Sequence, residues 1–179
     1  MLREAVRTDR LLLRPVRMDD AQTLIGLETW NVARWLASVP WPLTLEDMQD
    51  YIVHASAENE AGISANYAIE AEGAPCGMIT LHPRDGALSL GYWLGEPYWG
   101  QGLMSEAAET FVDAFFACSG VMHIISGVFA GNGASLRVQE KLGFVTVGDT
   151  MRYSRPQGRP LPYYETVLGR ERHARRLAA

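Results

Sequence analysis

The spacing of apolar and polar positions divides the chain into a largely helical first third and a strand-rich remainder. Arg10 to Val16 is an apolar run broken by arginines, which predicts a first strand. Asp19 and Asp20 then provide a helix N-cap, and apolar residues at helical spacing follow over Ala21 to Leu27. Two further helices are predicted, one over about Val32–Ala37 and one from the capping pair Thr44 and Asp47 to about Ala57.

From Tyr67 the pattern changes to short apolar runs bounded by turn residues. Tyr67–Ala71 and Gly77–Leu81 flank a turn and predict a hairpin, and Leu88–Leu94 predicts a buried strand after it. The later predicted elements are a helix over Ser105–Phe116, a strand over His123–Phe129, a helix over Ser135–Leu142 that ends at Gly143, and strands over Phe144–Tyr153 and Tyr163–Leu168. This order predicts one α+β domain of mixed α/β character over residues 1–179.

The strand at Leu88–Leu94 leads into a glycine-rich segment, Tyr98 to Met104, which we call the glycine turn. Gly100 and Gly102 leave its backbone open to close approach by another molecule. The first N–H groups of the following helix lack internal partners and carry the positive end of the helix dipole, so a phosphate could bind there. A tight turn without a ligand explains the same residues. A nucleoside-triphosphate loop and a dinucleotide-binding turn are excluded, because Gly-Lys-Ser/Thr is absent and Ser105 replaces a third glycine.

Composition narrows the classes of partner. The 179 residues carry a net charge of −5, which disfavours non-specific nucleic-acid binding and mildly favours a cationic substrate. The charged N-terminus is unlike a signal peptide and no apolar run could span a bilayer, so we expect a cytoplasmic protein that is not bound to a membrane. The two cysteines, Cys76 and Cys118, and the four histidines lack metal-ligand spacing, so no metal site is expected.

A second motif, NGASLRVQEKLGF from Asn132, follows the strand at His123–Phe129. An asparagine N-cap and a glycine C-cap are a sufficient structural explanation of its two ends. Together with TDRLLLRPVRMDDA near the N-terminus and PYWGQGLMSEA in the middle, it resembles the GNAT superfamily of acetyl-CoA-dependent N-acetyltransferases. The branch that it resembles contains the ribosomal-protein N-terminal (alanine and serine) acetyltransferases, and the resemblance covers nearly the whole chain.

The resemblance implies a mixed, mostly antiparallel sheet that splays at its middle strand, with helices on both faces and acetyl-CoA in the splay. The backbone around Leu94 would pair with the pantetheine arm. Asn132 would contact pantetheine, Ser135 would lie near the thioester sulfur, and Lys141 would lie near the adenosine phosphates. The N–H groups that would hold the pyrophosphate belong to Trp99, Gly100, Gln101, Gly102, Leu103, Met104 and Ser105.

The sequence departs from the family pattern at two positions. Met104 stands where alanine or glycine is usual, which keeps the N–H group but adds bulk to the turn. Many superfamily members have a tyrosine seven residues after the asparagine, as the acid for the departing thiolate. Gln139 occupies that position here and cannot act as an acid. Ser135, directly or through a water molecule, is therefore the candidate proton donor.

The general base stays open at this point. Leu88–Leu94 contains no carboxylate, although some relatives have a glutamate on this strand. Glu70, His82, Glu96 and Glu165 are possible by residue type, and each is equally explained as a surface or strand-edge residue.

Two aromatic and basic features have structural explanations beside functional ones. Trp30, Trp35 and Trp41 are expected to pack within the helical region, or to form walls of a substrate cleft. The basic tail from Arg170 to Arg176 predicts a solvated helix end.

We therefore predict an N-acetyltransferase, monomeric or homodimeric, that moves an acetyl group from acetyl-CoA to a primary amine by direct attack. Keeping a lysine side chain neutral at pH 7 costs about 4.6 kcal/mol, whereas an α-amine costs only about 1 to 1.4 kcal/mol. The missing base on the central strand therefore favours a protein or peptide N-terminus. The alternatives are a small-molecule amine, such as an aminoglycoside, polyamine or amino-acid conjugate, and a non-catalytic acyl-CoA-binding sensor.

Overall fold

The computed structural model describes residues 2–177, in which one eight-stranded sheet is flanked by six helices. The strands are β1 (Val6–Arg7), β2 (Leu11–Pro15), β3 (Ala65–Ala71), β4 (Ala74–Arg84), β5 (Ala87–Leu94), β6 (His123–Phe129), β7 (Val145–Ser154) and β8 (Arg159–Gly169). The helices are α1 (Ala21–Leu27), α2 (Trp30–Ala33), α3 (Leu45–Ala61), α4 (Leu103–Cys118), α5 (Gly133–Leu142) and α6 (Arg170–Leu177). Not one of these described helices has the length and apolar character that a bilayer crossing requires.

The sheet separates at its middle, between β5 and β6. Its strand order is β1-β2-β3-β4-β5-β6-β8-β7, and all neighbours except β5 and β6 are antiparallel. Strand β5 pairs with β4 from Ala87 to Leu94, but its only pairing with β6 in the described sheet is parallel, between Ser89 and Ile125. Beyond that pair the two strands diverge, which confirms the predicted splay in a mostly antiparallel sheet.

Apolar side chains on the two faces of the sheet form two separate clusters. Helix α4 covers one face, where the rings of Tyr67 and Phe111 meet edge-on with centroids 5.3 Å apart. Helices α1 and α3 cover the other face, where Leu24 and Ile52 pack in one cluster with Met78 of β4. Each such buried side chain contributes about 1.5 to 3 kcal/mol. The predicted placement of helices on both faces is confirmed.

Several helix ends differ from the sequence prediction. Helix α2 spans Trp30–Ala33 instead of Val32–Ala37, and α3 continues past Ala57 to Ala61, where Gly62 ends it at a φ of 70°. Helix α4 begins at Leu103, two residues before the predicted start, because Gly102 turns the chain into it at a φ of 77°. No capping side chain marks that start in the sequence, which is why the apolar periodicity placed it too late.

The prediction of a solvated helix end at Arg170–Arg176 holds only in part: Glu171, Arg172 and Arg175 are exposed, but other residues of this segment are not. Arg170 donates hydrogen bonds of 2.6 to 2.9 Å to the backbone carbonyls of Phe116, Ser119 and Val121. These carbonyls lie at the end of α4, where a cation is favoured by the helix dipole. His173 is only 3% exposed, beside the Phe116 ring. The tail is therefore docked on α4, although its outer charges face solvent.

Candidate active site

The gap between β5 and β6 opens into a cleft of about 1030 Å³ that is lined by residues from both faces of the sheet. The Gly95 N–H donates to the Cys76 carbonyl of β4 at 2.9 Å, so the backbone groups of Gly95 and of every second residue before it face β4. Since neighbouring residues of a strand present their backbone groups to opposite sides, the N–H and C=O groups of Tyr92 and Leu94 face the gap.

Two carbonyl groups on this edge of β5 already have donors. The Leu90 carbonyl accepts from Ser126 Oγ at 2.8 Å, and the Leu94 carbonyl accepts from Trp99 Nε1 at 2.7 Å. The second bond also fixes the glycine turn against the end of the strand. The groups that β5 can offer to a ligand are therefore the Leu94 N–H and both backbone groups of Tyr92.

The glycine turn brings a helix N-terminus to the same cleft. Gly100 and Gly102 have φ values of 74° and 77°, in the left-handed region that glycine adopts without strain. The first backbone bond of α4 runs from the Glu106 N–H to the Gly102 carbonyl at 3.1 Å. The preceding N–H groups, those of Leu103, Met104 and Ser105, are therefore not used within the helix. This arrangement can bind an anion.

Most of the predicted cofactor-binding and catalytic residues line this one cleft. They are Leu94, Trp99, Gly100, Gly102, Leu103, Met104, Ser105, Asn132, Ser135 and Lys141. Gln101 is not among the lining residues: its side chain donates to the Pro97 carbonyl at 2.9 Å, and its own carbonyl accepts from Arg10 at 3.0 Å. The backbone N–H of Gln101 stays a predicted donor.

The second motif places Ser135 opposite β5. Asn132 caps α5 by accepting from the Ser135 N–H at 3.2 Å, so the structural explanation of this asparagine holds. The phenol oxygen of Tyr92 lies 3.1 Å from both Ser135 Oγ and the Ser135 carbonyl oxygen. Burial raises the pKa of Tyr92 to about 12, so the phenol stays protonated. Tyr92 is not evident as a site residue from the sequence, because a tyrosine in an apolar run looks like a core residue.

Gln139, at the position where many relatives have a tyrosine, has a structural role. It is 1% exposed, donates to Ser126 Oγ at 2.9 Å and accepts from Thr166 Oγ1 at 2.7 Å. These bonds tie α5 to β6 and β8. Farther along α5, Lys141 lines the cleft together with Arg137, a second cation that was not among the predicted site residues.

Two of the four candidate bases are held in ion pairs. Glu70 accepts from Arg14 at 2.8 Å, and Glu165 accepts from Arg84 at 2.8 Å. Neither carboxylate lines the cleft. An arginine neutralises each of them, which favours their interpretation as strand residues of the sheet.

The other two candidates differ in position. Glu96 is also absent from the lining of the cleft; it accepts hydrogen bonds from Thr29 and Asn31, which lower its pKa. His82 does line the cleft, and burial followed by the charge of nearby Arg84 lowers its pKa. Across residues 2–177, no three or more His, Cys, Asp and Glu side chains are arranged to hold a metal ion.

Glu28 lies in the cleft and was not among the predicted bases. It follows the last turn of α1, is 5% exposed and lines the cleft. Its Oε1 atom is buried, and none of the described residues donates a hydrogen bond to it. Burial raises the pKa of Glu28 from 4.5 to about 7. This carboxylate has the properties of a proton acceptor near neutral pH.

The segment from residue 34 to residue 40, here called the bridge, covers part of the cleft. The Arg155 N–H donates to the Ala37 carbonyl at 2.8 Å, and Gln157 Nε2 donates to the Arg34 carbonyl at 2.9 Å. Because Arg155 and Gln157 belong to the turn between β7 and β8, the bridge connects the two halves of the splayed sheet.

One of the three tryptophans of the helical region forms a wall of the cleft. Trp35 of the bridge lines it, and its ring lies 3.5 Å from the position that a Cβ on Gly131 would occupy. Trp30 and Trp41 pack against each other outside the cleft, with ring centroids 5.7 Å apart. The cleft-wall interpretation therefore applies to Trp35, and the packing interpretation to the other two.

Comparison with known families identifies this arrangement. The model of the family described as "Acetyltransferase (GNAT) domain" matches residues 10–145. The chain belongs to the GNAT acetyltransferase family. The match includes α1, the splayed strands, the glycine turn and α5, so all the elements around the cleft except β8 and most of β7 are parts of the family domain.

Similar proteins and solved structures agree with the family. The chain is 26% identical over 178 residues to the uncharacterized N-acetyltransferase p20 of Bacillus licheniformis, covering 96% of this chain and 99% of that protein. It is 25% identical over 150 residues to the putative ribosomal N-acetyltransferase YdaF of Bacillus subtilis, covering 78% and 80% of the two chains.

Two solved structures share the fold. One is RimJ of Mycobacterium smegmatis in complex with CoA-disulfide, with a TM-score of 0.81, 22% identity and coverage of 94% of this chain and 88% of that chain. The other is the ribosomal L7/L12 α-N-protein acetyltransferase RimL in complex with coenzyme A, with a TM-score of 0.82, 19% identity and coverage of 94% and 98%.

These comparisons confirm that this GNAT protein is an acyltransferase and that its fold was correctly predicted. Both of these structural neighbours were solved with coenzyme A bound. The roles of the individual residues in the cleft stay predictions, as does the identity of the acceptor.

Proposed function

We propose that the protein transfers the acetyl group of acetyl-CoA to a primary amine by direct attack, and that this amine is the N-terminal α-amine of a protein or peptide. The observation that carries the proposal is the junction of the splay with the glycine turn. There the open backbone edge of β5 adjoins a helix N-terminus whose first N–H groups have no helical partner. A pantetheine arm contains amides that pair with a strand edge, and a pyrophosphate suits a helix N-terminus.

The two substrates take opposite sides of the cleft in this proposal. The pantetheine arm lies along the Leu94 backbone and beside Asn132, and the pyrophosphate lies on the N–H groups of the glycine turn. Lys141 and Arg137, which line the same side of the cleft, reach the adenosine phosphates. The acceptor enters from the side of α1 and α3, under the bridge.

The chemistry needs a neutral amine, a polarised carbonyl and a proton for the thiolate. The amine nitrogen attacks the thioester carbon, a C–N bond forms, and the C–S bond breaks. The Tyr92 N–H, which faces the gap, donates to the developing oxyanion. The Ser135 hydroxyl donates a hydrogen bond to the sulfur. The Tyr92 phenol oxygen, 3.1 Å from Ser135 Oγ, holds the hydroxyl in that orientation.

Three features support an α-amine as the acceptor. An α-amine has a pKa about 2.4 to 2.7 units below that of a lysine side chain, so a larger fraction is neutral at pH 7. The bridge narrows the acceptor side, which favours an extended chain end over a lysine on a folded surface. Finally, YdaF is named as a putative ribosomal N-acetyltransferase, and RimL as a ribosomal L7/L12 α-N-protein acetyltransferase.

Two peptides of one sequence test the proposal. One has a free N-terminus and an acetylated lysine, and the other has an acetylated N-terminus and a free lysine. We expect kcat/KM for thiol release from acetyl-CoA to be at least about 100-fold higher with the first peptide. A set of small amines of similar pKa forms a third arm.

Each possible result separates the alternatives. Faster acetylation of the lysine peptide would contradict the α-amine assignment, and activity confined to the third arm would replace it with a small-molecule acceptor. CoA binding by calorimetry without thiol release from any amine would show a non-catalytic acyl-CoA-binding protein.

A further inference from the structure

Among residues 2–177, three side-chain carboxylates line the cleft, and only one of them is both buried and without a partner. Asp47 is exposed and accepts from the Thr44 N–H at 3.0 Å, as part of a helix cap. Glu58 is partly exposed and accepts from Asn66 Nδ2 at 3.5 Å. Glu28 is 5% exposed, and its Oε1 has no donor among the described residues. A buried carboxylate oxygen without a donor is costly unless a ligand supplies one.

The neighbours of Glu28 hold it at the C-terminal end of β5. A Cβ on Gly95 would lie 2.7 Å from Leu27 Cδ2, so the residue before Glu28 packs directly on the chain after Leu94. On the other side, Glu96 accepts hydrogen bonds from Thr29 and from Asn31. Contacts on both sides thus fix the backbone of Glu28 beside the strand end from which the splay opens.

We infer that Glu28 accepts the proton of the acceptor's ammonium group and thereby makes the cleft selective for weakly basic primary amines. This inference rests on the proposed transfer to an amine. The ammonium N–H supplies the donor that Glu28 Oε1 lacks within the protein. Proton transfer gives a neutral carboxylic acid and a neutral amine. The amine nitrogen attacks the thioester carbon, the C–N bond forms and the C–S bond breaks, and the second proton that the nitrogen loses goes to the departing thiolate through Ser135 or a water molecule. Glu28 returns its own proton to solvent before the next turnover.

Among residues 2–177, no neighbouring charge accounts for the raised pKa of Glu28. The titratable and charged groups that face or adjoin this side of the cleft are Arg34 after α2, Asp47, Tyr51 and Glu58 of α3, His82 and Arg84 of β4, Glu96 after β5, and Arg152, Arg155 and Tyr163 of the β7–β8 hairpin. Arg84 is paired with Glu165, and Glu96 with Thr29 and Asn31. Burial alone raises the pKa of Glu28 to about 7.

This protonation behaviour favours an α-amine over a lysine side chain. With a pKa of about 7, Glu28 takes a proton from an ammonium of pKa about 7.7 to 8.0 in an equilibrium that is unfavourable by only about five- to tenfold. For a lysine ammonium of pKa about 10.4, the same proton transfer is unfavourable by about 2,500-fold. For a solvated glutamate, with a pKa of about 4.3, proton transfer even from the α-ammonium group would be unfavourable by more than about 1,000-fold.

The test compares Glu28→Gln with the wild type and with Glu58→Gln, which removes a different carboxylate from the same cleft. Initial rates are measured between pH 6 and 9 with acceptor peptides whose α-amine pKa values differ, and the Kd for acetyl-CoA is measured by calorimetry. We expect Glu28→Gln to lower kcat at least about 100-fold and to leave that Kd unchanged. In the wild type, kcat should fall below pH 7 at a position independent of the acceptor's pKa.

The outcomes distinguish this inference from the proposed function. Loss of that acidic limb in Glu28→Gln, with Glu58→Gln like the wild type, would support the assignment. A Glu28→Gln enzyme with wild-type kcat and pH profile, or an equal loss in Glu58→Gln, would overturn it while leaving N-acetylation intact. A wild type that releases no thiol with any amine would refute the proposed function and this inference with it.

Discussion

Replacing Glu28 with glutamine should stabilise the protein above neutral pH, whatever it does to activity. Burial raises the pKa of Glu28 from 4.5 to about 7 in the folded protein. Each pKa unit corresponds to about 1.36 kcal/mol, so the ionised carboxylate lowers the free energy of unfolding by about 3 kcal/mol. Glutamine has nearly the same shape and carries no charge, so the substitution removes this cost.

The sign of the effect follows from which state binds the proton more tightly. Below about pH 4.5 Glu28 is protonated in both the folded and the unfolded protein and contributes no difference. Between about 4.5 and 7 the unfolded chain releases the proton first, so the stability of the folded protein falls as the pH rises. Above the folded-state value both states are ionised, and the cost is constant.

Thermal unfolding of wild type, Glu28→Gln and Glu58→Gln at pH 4.5, 6 and 8 measures the effect. For a chain of this length about 2 to 4 °C correspond to 1 kcal/mol, so Glu28→Gln should raise Tm by about 6 to 12 °C at pH 8. The gain should be smaller at pH 6 and nearly absent at pH 4.5. Glu58→Gln should show no such trend, because Glu58 is partly exposed. A gain independent of pH, or no gain at pH 8, would refute the assignment of a buried, unpaired carboxylate.

Two further substitutions test other parts of the cleft, and a third, with its own control, tests the contact between β4 and β5. Ser135→Ala should lower the single-turnover rate constant by about 10- to 150-fold with little change in the KM for acetyl-CoA, because a hydrogen bond to a charged sulfur contributes about 1.5 to 3 kcal/mol. An unchanged rate constant would assign the proton to water. Gly102→Glu strains a φ of 77° and puts a carboxylate at the start of α4, so calorimetry should show at least about 100-fold weaker CoA binding with an unchanged circular dichroism spectrum. Gly77→Ala places a Cβ 2.2 Å from the Trp93 carbonyl oxygen, which should cost about 1 to 3 kcal/mol and lower Tm by about 2 to 12 °C. Gly26→Ala, whose Cβ would meet nothing within 4 Å, should leave Tm unchanged or slightly higher.

Features that depend on a few neighbouring residues could be predicted from the sequence. The pairing of Thr44 with Asp47 starts α3 as a capping box, and Asn132 caps α5 through the Ser135 N–H. Glycine turns and caps of this kind are set by local backbone geometry, so short sequence patterns indicate them reliably. The glycine turn, the α5 motif and the splay were all accessible in this way, the last through resemblance to the family.

The choice among carboxylates depends on contacts between distant parts of the chain and could not be predicted. Arg14 and Glu70 are 56 residues apart, and Arg84 and Glu165 are 81 residues apart. No short pattern shows that these pairs form, so all the candidate bases looked equally available. Glu28 looked like a polar residue after a short helix, because its burial depends on packing of the α1–α2 corner against the chain after β5.

Glu28 differs from the other buried carboxylate at the ends of α1, which has a charged partner. At the N-terminal end of α1, Arg14 binds buried Asp20 through two hydrogen bonds of 2.7 and 2.8 Å and also binds Glu70. The same fold leaves Glu28 with no such partner among the residues described, at a cost in stability that glutamine would avoid. The other unused polar groups of the cleft include the N–H groups of β5 and of the start of α4, which are hydrogen-bond donors, beside the Tyr92 carbonyl. Donors on one side of the splay suit an acyl carbonyl and a phosphate, and the unpaired carboxylate of Glu28 on the other side suits an ammonium ion. The unsatisfied groups therefore already have the polarity of the two substrates that an N-acetyltransferase must bind together.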